Sequence, residues 1–362
     1  MGGIPLSALI LAFSATASVE SASAQNVTLA AAVERAVDEG VATPLRDRRF
    51  SGVVFVEQEG HVLVRKAYGL ADRERAIPNT PDTPFMIMSV SKQFTAALIV
   101  RLAAQGRLGL HDRVSDYLAE WPPEWDEVTI HHLLTHSAGT DIDTTYFWLV
   151  QHHPQYWPNP AETPPQYKPH ALVTTPGTTF LYANVGYTLL SMIASAATGR
   201  PFDELMREEV FCPLGMNDTL PERGAPIAGR ARGYRRTDDG FAPQEQKTID
   251  VVGAGDLVST VDDLAKWDRA LNDDRFIPSS LRSAMLTPSV TGKYGGVGYG
   301  WFLRTGDDGR QLQFHSGDGA GFRAWNYRVS EAGLTIIVLS NVGEHDSSWL
   351  TALRGAITKA LD

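Results

Sequence analysis

Between Asp82 and Arg101 the chain carries one charge. The stretch Phe85-Met-Ile-Met-Ser-Val-Ser-Lys-Gln-Phe-Thr-Ala-Ala-Leu-Ile-Val100 is apolar nearly all round, and Lys92 is its lone ion. A helix without a polar face has to be buried, and an ammonium is very rarely buried without a partner or a task. The pattern predicts a helix from near residue 88 to a glycine stop at Gln105-Gly106. Ser89 stands three residues before Lys92, so in that helix the two side chains share a face. Burial favours the uncharged amine, which can help remove the proton of a neighbouring hydroxyl. Ser89 is therefore the candidate nucleophile and Lys92 its candidate base. The plainer alternative is a surface lysine on an ordinary helix, and apolar neighbours on every side speak against it.

Bulk properties narrow the function classes. The 362 residues are 43% hydrophobic and 20% charged, as in ordinary soluble globular proteins. A formal net charge of −10, with no basic run interleaved with aromatics, argues against nucleic acid or acidic membrane as a partner. Residues 1–24 read as a secretory signal: Ile4 to Ala17 is mostly apolar, and Ala22-Ser23-Ala24 fits a cleavage site. The expected location is periplasmic or secreted, without stable membrane insertion after cleavage. No Lys or Arg precedes the apolar stretch, so a buried N-terminal helix is the competing reading. Cys212 is the only cysteine, which rules out an intrachain disulfide.

The order of periodicities points to an α+β fold. Leu29 to Val41 carries a helical stripe, followed by two β-like runs, Gly52–Val56 and Val62–Tyr68, around the turn Gln58-Glu-Gly60. Residues 69–84 read as a loop. Thr129 to His136 reads as a short helix, Pro154 to Pro176 as a long surface excursion, and 185–197, 202–211 and Thr260 to Leu271 as helices. Four strand signals follow at 298–303, 311–314, 322–329 and 334–340, spaced as an antiparallel meander, and a final stripe from Trp349 to Leu361 suits a terminal helix. Early hairpin and late meander are expected to join in one antiparallel sheet covered by the terminal helices. That sheet lobe would span about 25–80 and 290–362, with a mostly helical lobe over about 81–289 and the active site between them.

Two further stretches carry chemistry. In Phe180-Leu-Tyr182-Ala-Asn184, a short loop ahead of a helix can expose a phenol that passes protons and an amide that holds a carbonyl. Alone, the same residues also read as a core tyrosine and an asparagine N-cap. In Phe314-His315-Ser316-Gly317-Asp318-Gly-Ala-Gly-Phe322, a strand runs into a glycine-rich turn whose backbone can approach a ligand and offer an N–H to an oxyanion. A plain hairpin with an incidental histidine is the alternative.

In this order, Ser89-Val-Ser-Lys92, Tyr182-Ala-Asn184 and His315-Ser-Gly317 together resemble the serine β-lactamase and penicillin-recognising enzyme superfamily, in its class C-like branch. That branch includes D-alanyl-D-alanine carboxypeptidases, D-aminopeptidases and esterases. Leu133-Leu-Thr-His-Ser-Ala-Gly139, Pro213-Leu-Gly-Met216 and Gly253-Ala-Gly-Asp-Leu-Val-Ser-Thr260 extend the resemblance over roughly residues 28–360. It implies a serine hydrolase that cleaves a small ester, amide or peptide through an acyl-Ser89 intermediate, without metal or cofactor. Lys92 and Tyr182 would share proton transfer, Asn184 would position the acyl side chain, and His315, Ser316, Gly317 and Asp318 would line the substrate site. The backbone N–H groups of Ser89 and Asp318 would form the oxyanion hole. The family's β-lactamases carry a Lys-Thr-Gly type triplet where this chain has His315-Ser316-Gly317, and a neutral imidazole grips a carboxylate less well than an ammonium does. An esterase or peptidase is thus expected ahead of a D-alanyl-D-alanine carboxypeptidase or β-lactamase.

Other classes fare worse. An α/β-hydrolase needs a Gly-x-Ser-x-Gly elbow, and the chain has none. His132 and His136 stand one turn apart near His131, but without a His-Glu-x-x-His arrangement or a clear third ligand they read as packing and capping residues. A non-catalytic protein that binds cell-wall peptides would not need Ser89, Lys92 and Tyr182 all in place.

Overall fold

A computed structural model describes residues 27–153, 172–222, 227–244, 252–306, 309–343, 346 and 348–361. The signal-like residues 1–24 and most of the proline-rich excursion, 154–171, lie outside the described residues.

Helix α1 (27–46) leads into β1 (Gly52–Gln58) and β2 (His61–Tyr68). Their link places Glu59 at φ 51° and Gly60 at φ 79°, the left-handed pair whose twist suits a two-residue hairpin. The meander supplies β3 (Val290–Gly292), β4 (Gly295–Val297), β5 (Phe302–Thr305), β6 (Gln311–Gly319), β7 (Phe322–Val329) and β8 (Leu334–Ser340). These eight strands form one antiparallel sheet in the order β3-β4-β5-β6-β7-β8-β1-β2. Segments from the two ends of the chain meet one strand in from the β2 edge, where Gly52 pairs with Ser340 and Gln58 with Leu334.

Both faces are covered, which is why β1 reads as an unbroken apolar run rather than an alternation. Val54 and Val56 join the outer core with Val33, Val37 and Val41 of α1 and with Leu350, Leu353 and Ile357 of the terminal helix α9 (Ser348–Leu361). Val53 and Phe55 point the other way, into a larger core shared with α2 (Ser91–Ala104), α5 (Asn184–Thr198) and α7 (Val261–Ala270). Further helices are α3 (Ile130–Leu134), α4 (Ile142–His152), α6 (Phe202–Leu205) and α8 (Ser279–Met285), with a single α-helical turn at Cys212–Leu214. Helix α2 is buried on every side, and Arg101 in its last turn is the residue that reaches out, to Phe276 O at 2.6 Å and Glu209 at 3.3 Å.

Five local expectations change. Residues 69–84 are not all loop, because Leu70–Asp72 and Ile77–Pro78 pair as short antiparallel strands. Helix α2 starts at Ser91, because Met88–Val90 form a 3-10 turn first. Residues 298–301 are not strand: Gly300 sits at φ 76° and Gly298 N–H donates to Trp301 O, so the strand begins at Phe302. Helix α6 passes into a π-helix over Met206–Phe211. Finally, His315-Ser316-Gly317 lies inside β6, and the turn falls at Ala320 (φ 46°) and Gly321 (φ 79°).

Candidate active site

Ser89 occupies the 3-10 turn between the short strand Phe85–Met86 and α2. That turn is pinned by Phe85 and Met86 pairing with Ser259 and Val258, and by Ile87 N–H donating to Leu257 O at 2.9 Å. Met88 adopts φ 50° immediately before Ser89, a conformation that costs a non-glycine residue of order 1–3 kcal/mol and persists only where the surroundings enforce it. Ile87, Met88 and Val90 are buried, whereas Ser89 is partly open. The turn thus presents one hydroxyl to the outside.

Lys92 lies one turn into the chain beyond it and is 0% exposed. Its Nζ is 3.1 Å from Ser89 Oγ, 2.8 Å from Asn184 Oδ1 and 2.8 Å from Ala254 O. Burial holds its pKa well below the ordinary lysine range, against an opposing pull from the Asp256 carboxylate. An uncharged amine has two hydrogens and one lone pair. In that form Ala254 O and Asn184 Oδ1 can accept both hydrogens, leaving the lone pair available to the Ser89 hydroxyl 3.1 Å away.

Asn184 is the first residue of α5, yet Ala183 is the N-cap position and no side chain caps the helix there. The asparagine's oxygen is committed to Lys92 instead, so the capping alternative does not hold. Tyr182 hydrogen-bonds Ser89, and its ring centre is 4.9 Å from Lys92 Nζ. Burial raises the phenol's pKa despite that bond.

His136, read from the sequence as packing or capping, turns out to hold Tyr182. Its carbonyl accepts from Leu181 N–H at 2.7 Å and its Nδ1 accepts from Ala183 N–H at 3.2 Å, so it bonds the residues on either side of the tyrosine. Its ring lies 4.4 Å from that of Tyr182, tilted 32°, and 5.1 Å from that of Tyr187. An accepting Nδ1 puts the proton on Nε2. Burial, Lys92 and His315 all push its pKa well below the usual histidine range. The available signal was its place inside Leu133–Gly139, within the resemblance. The other two histidines do fit their structural reading: His132 Nδ1 accepts from Thr129 N–H at 3.2 Å, and His131 Nδ1 is 2.7 Å from Tyr299 Oη.

Strand β6 closes the site from the sheet side. Side chains alternate along it. His315 and Gly317 face α2, whereas Ser316 and Asp318 turn to the outer face, where Asp318 pairs with Arg323 at 2.5 Å. These two expected substrate contacts therefore reach the site only through their backbone. His315 is 2% exposed, with Nδ1 2.8 Å from Ser316 O and its ring 6.4 Å from that of Tyr182. Burial first, then Lys92, brings its pKa down to about 3, so the imidazole is neutral at pH 7. Gly317 lies so near the Ser89 turn that a Cβ there would sit 2.2 Å from Ile87 O and 3.0 Å from Ser89 N.

Sequence and structure comparisons agree on one family. The model of the Beta-lactamase family matches residues 29–355. The chain belongs to the Beta-lactamase family. This family member is 30% identical over 311 residues to a D-aminopeptidase of Gluconobacter oxydans, covering 83% of this chain and 57% of that one. It is 32% identical over 210 residues to the esterase EstB of Burkholderia gladioli, covering 53% of this chain and 51% of that one. The chain thus spans little more than half the length of either relative. The octameric penicillin-binding protein homologue from Pyrococcus abyssi superposes with a TM-score of 0.77 at 26% identity, covering 89% of this chain and 76% of that one. Its family and its relatives named as peptidase and esterase support an enzyme of the hydrolase class. Among the described residues no helix is long and apolar enough to cross a membrane.

Proposed function

We propose that the protein hydrolyses a small ester or amide through an acyl-Ser89 intermediate. The observation that carries the reading is the contact of a fully buried, charge-averse Lys92 Nζ with Ser89 Oγ at 3.1 Å. Ser89 Oγ attacks the carbonyl carbon while its proton passes to the Lys92 lone pair. Tyr182, a neutral phenol bonded to Ser89, gives its proton to the leaving oxygen or nitrogen and is reprotonated from Lys92. Water then attacks the ester carbonyl, the same pair takes its proton, and Ser89 Oγ leaves protonated.

The tetrahedral oxyanion is held by the backbone N–H groups of Ser89 and Asp318. The two-residue turn pairs Gly319 with Phe322, so Gly319 and Gly317 spend their N–H groups on β7 while Asp318 directs its own to the opposite edge. Beyond the Phe302–Phe314 pair no residue of β5 occupies that edge. Asn184, bonded to Lys92, orients the acyl side of the substrate in this reading.

The neutral His315 supplies no cation for a carboxylate. Short-chain aryl esters should therefore be turned over faster than a chromogenic cephalosporin, and a reversed order would move the assignment to β-lactamase. A fluorophosphonate probe should label the wild type and spare a folded Ser89→Ala variant that has lost esterase activity. Labelling that persists in Ser89→Ala together with full activity would refute the mechanism. The apolar stretch and Ala22-Ser23-Ala24 support export to the periplasm or medium, checked by sequencing the mature N-terminus.

A further inference from the structure

The reverse side of the strand that carries His315 and Gly317 holds a cavity of about 430 Å3, a volume typical of small-molecule sites. Its floor is aromatic: Phe314 on β6, and Trp325 and Tyr327 on β7, the last two with ring centres 5.5 Å apart. One wall is α9, which contributes Arg354; the other is the β3–β5 edge, which contributes Arg304. Each guanidinium lies against an aromatic ring, Arg354 5.1 Å from the centre of Tyr327 and Arg304 5.9 Å from that of Phe314. Arg304 also donates to Tyr294 O at 3.1 Å, and Arg354 donates to Tyr327 Oη at 3.3 Å.

Charge makes this cavity unusual for the molecule. Arg323 at its end is paired with Asp318, and Asp346 also acts on Arg323 from a longer distance. Arg304 and Arg354 have no carboxylate within ion-pair distance among the described residues. The lining therefore carries two uncompensated cations in a chain of formal charge −10. A planar guanidinium set over a ring keeps in-plane N–H groups for a planar anion, and the half-buried rings of Phe314 and Trp325 between the two arginines suit a flat apolar body.

We propose that this cavity is a binding site for a small aromatic anion, separate from the hydrolytic site on the opposite face of the sheet. The anion lies between Arg304 and Arg354, with its ring over Trp325. Because the strand's side chains alternate, Ser316 and Asp318 belong to this cavity while their neighbours belong to the hydrolytic site.

The test is calorimetric titration of 1-naphthoate into the full chain with Ser89 capped by a fluorophosphonate. If Ser89 proves unreactive, the uncapped protein serves, since binding here does not depend on the hydrolytic reading. One saturable site is expected, weakened at least about tenfold in Arg304→Met/Arg354→Met, equivalent to about 1.4 kcal/mol. The uncharged 1-naphthalenemethanol should bind the wild type at least about tenfold more weakly than the acid, a comparison that survives misfolding of the double variant. Absence of saturable binding, equal affinity for acid and alcohol, or undiminished binding in a double variant with wild-type Tm would each overturn the proposal.

Discussion

Replacing Gly317 with alanine tests whether β6 sets the position of the nucleophile turn. The added methyl would lie 2.2 Å from Ile87 O and 2.7 Å from Met88 Cβ. Ordinary contact begins near 3.4 Å, so strand and turn must part by about 1.2 Å. Both sides are backbone, so no rotamer change relieves the overlap. Overpacking of this kind typically costs about 1–3 kcal/mol of stability. The functional cost should be larger, because the separation widens the gap between the two proposed oxyanion donors, and a misplacement of about 1 Å can cost on the order of a hundredfold in rate. Gly317→Ala should therefore lose about a hundredfold in kcat/KM toward an aryl ester while still unfolding cooperatively, with a lower urea midpoint. The two readouts separate the cases: an unchanged kcat/KM in a folded variant would show that the close approach of β6 does not position Ser89.

Three other perturbations probe the same centre. Lys92→Ala and Tyr182→Phe should each abolish most ester turnover, and the double variant should be little worse than either, because one proton path fails once; additive losses would separate their roles. His136→Ala should reduce kcat more than KM by freeing Tyr182, with partial rescue in His136→Asn, whose amide oxygen can replace Nδ1 as acceptor for Ala183 N–H; equal activity of all three proteins would make the stacking incidental. Burial, then Lys92, brings the pKa of His315 down to about 3 in the fold from the ordinary histidine value of 6.5. Above pH 6.5 both states are neutral, and as pH falls below it the unfolded chain takes up a proton that the native state refuses, so stability drops. His315→Gln should escape this term, gaining about 2–3 kcal/mol relative to wild type between pH 7 and pH 4.5 in urea melts; a pH-independent difference would refute it.

Much of this centre was legible in the sequence because it depends on local pattern. The unbroken apolar surroundings of Lys92 announced a buried amine, and the three-residue spacing announced its partner. Strands β7 and β8 were bounded correctly because their flanking turns contain glycine and their runs are long. The glycines of β6 misled for a physical reason. Gly317, Gly319 and Gly321 look alike in sequence, but of these the turn includes only Gly321, whereas Gly317 is small because Ile87 passes against it. That approach joins residues from distant parts of the chain and leaves no periodic trace. The role of His136 was hidden in the same way, since it depends on a loop nearly fifty residues on.

The pairing of β1 with β8 has a consequence for how the molecule is made. Gly52 and Ser340 are separated by most of the chain, and at about 5–20 residues per second of synthesis the first hairpin waits roughly 15–60 s for its neighbour. Throughout that interval one edge of Val53-Val54-Phe55-Val56 stands open with its hydrogen-bonding groups unmet. The fold is therefore one of high contact order, completed only after the last strand emerges. A chain that cannot finish folding from its N-terminal side leaves an apolar strand uncovered until its partner is made.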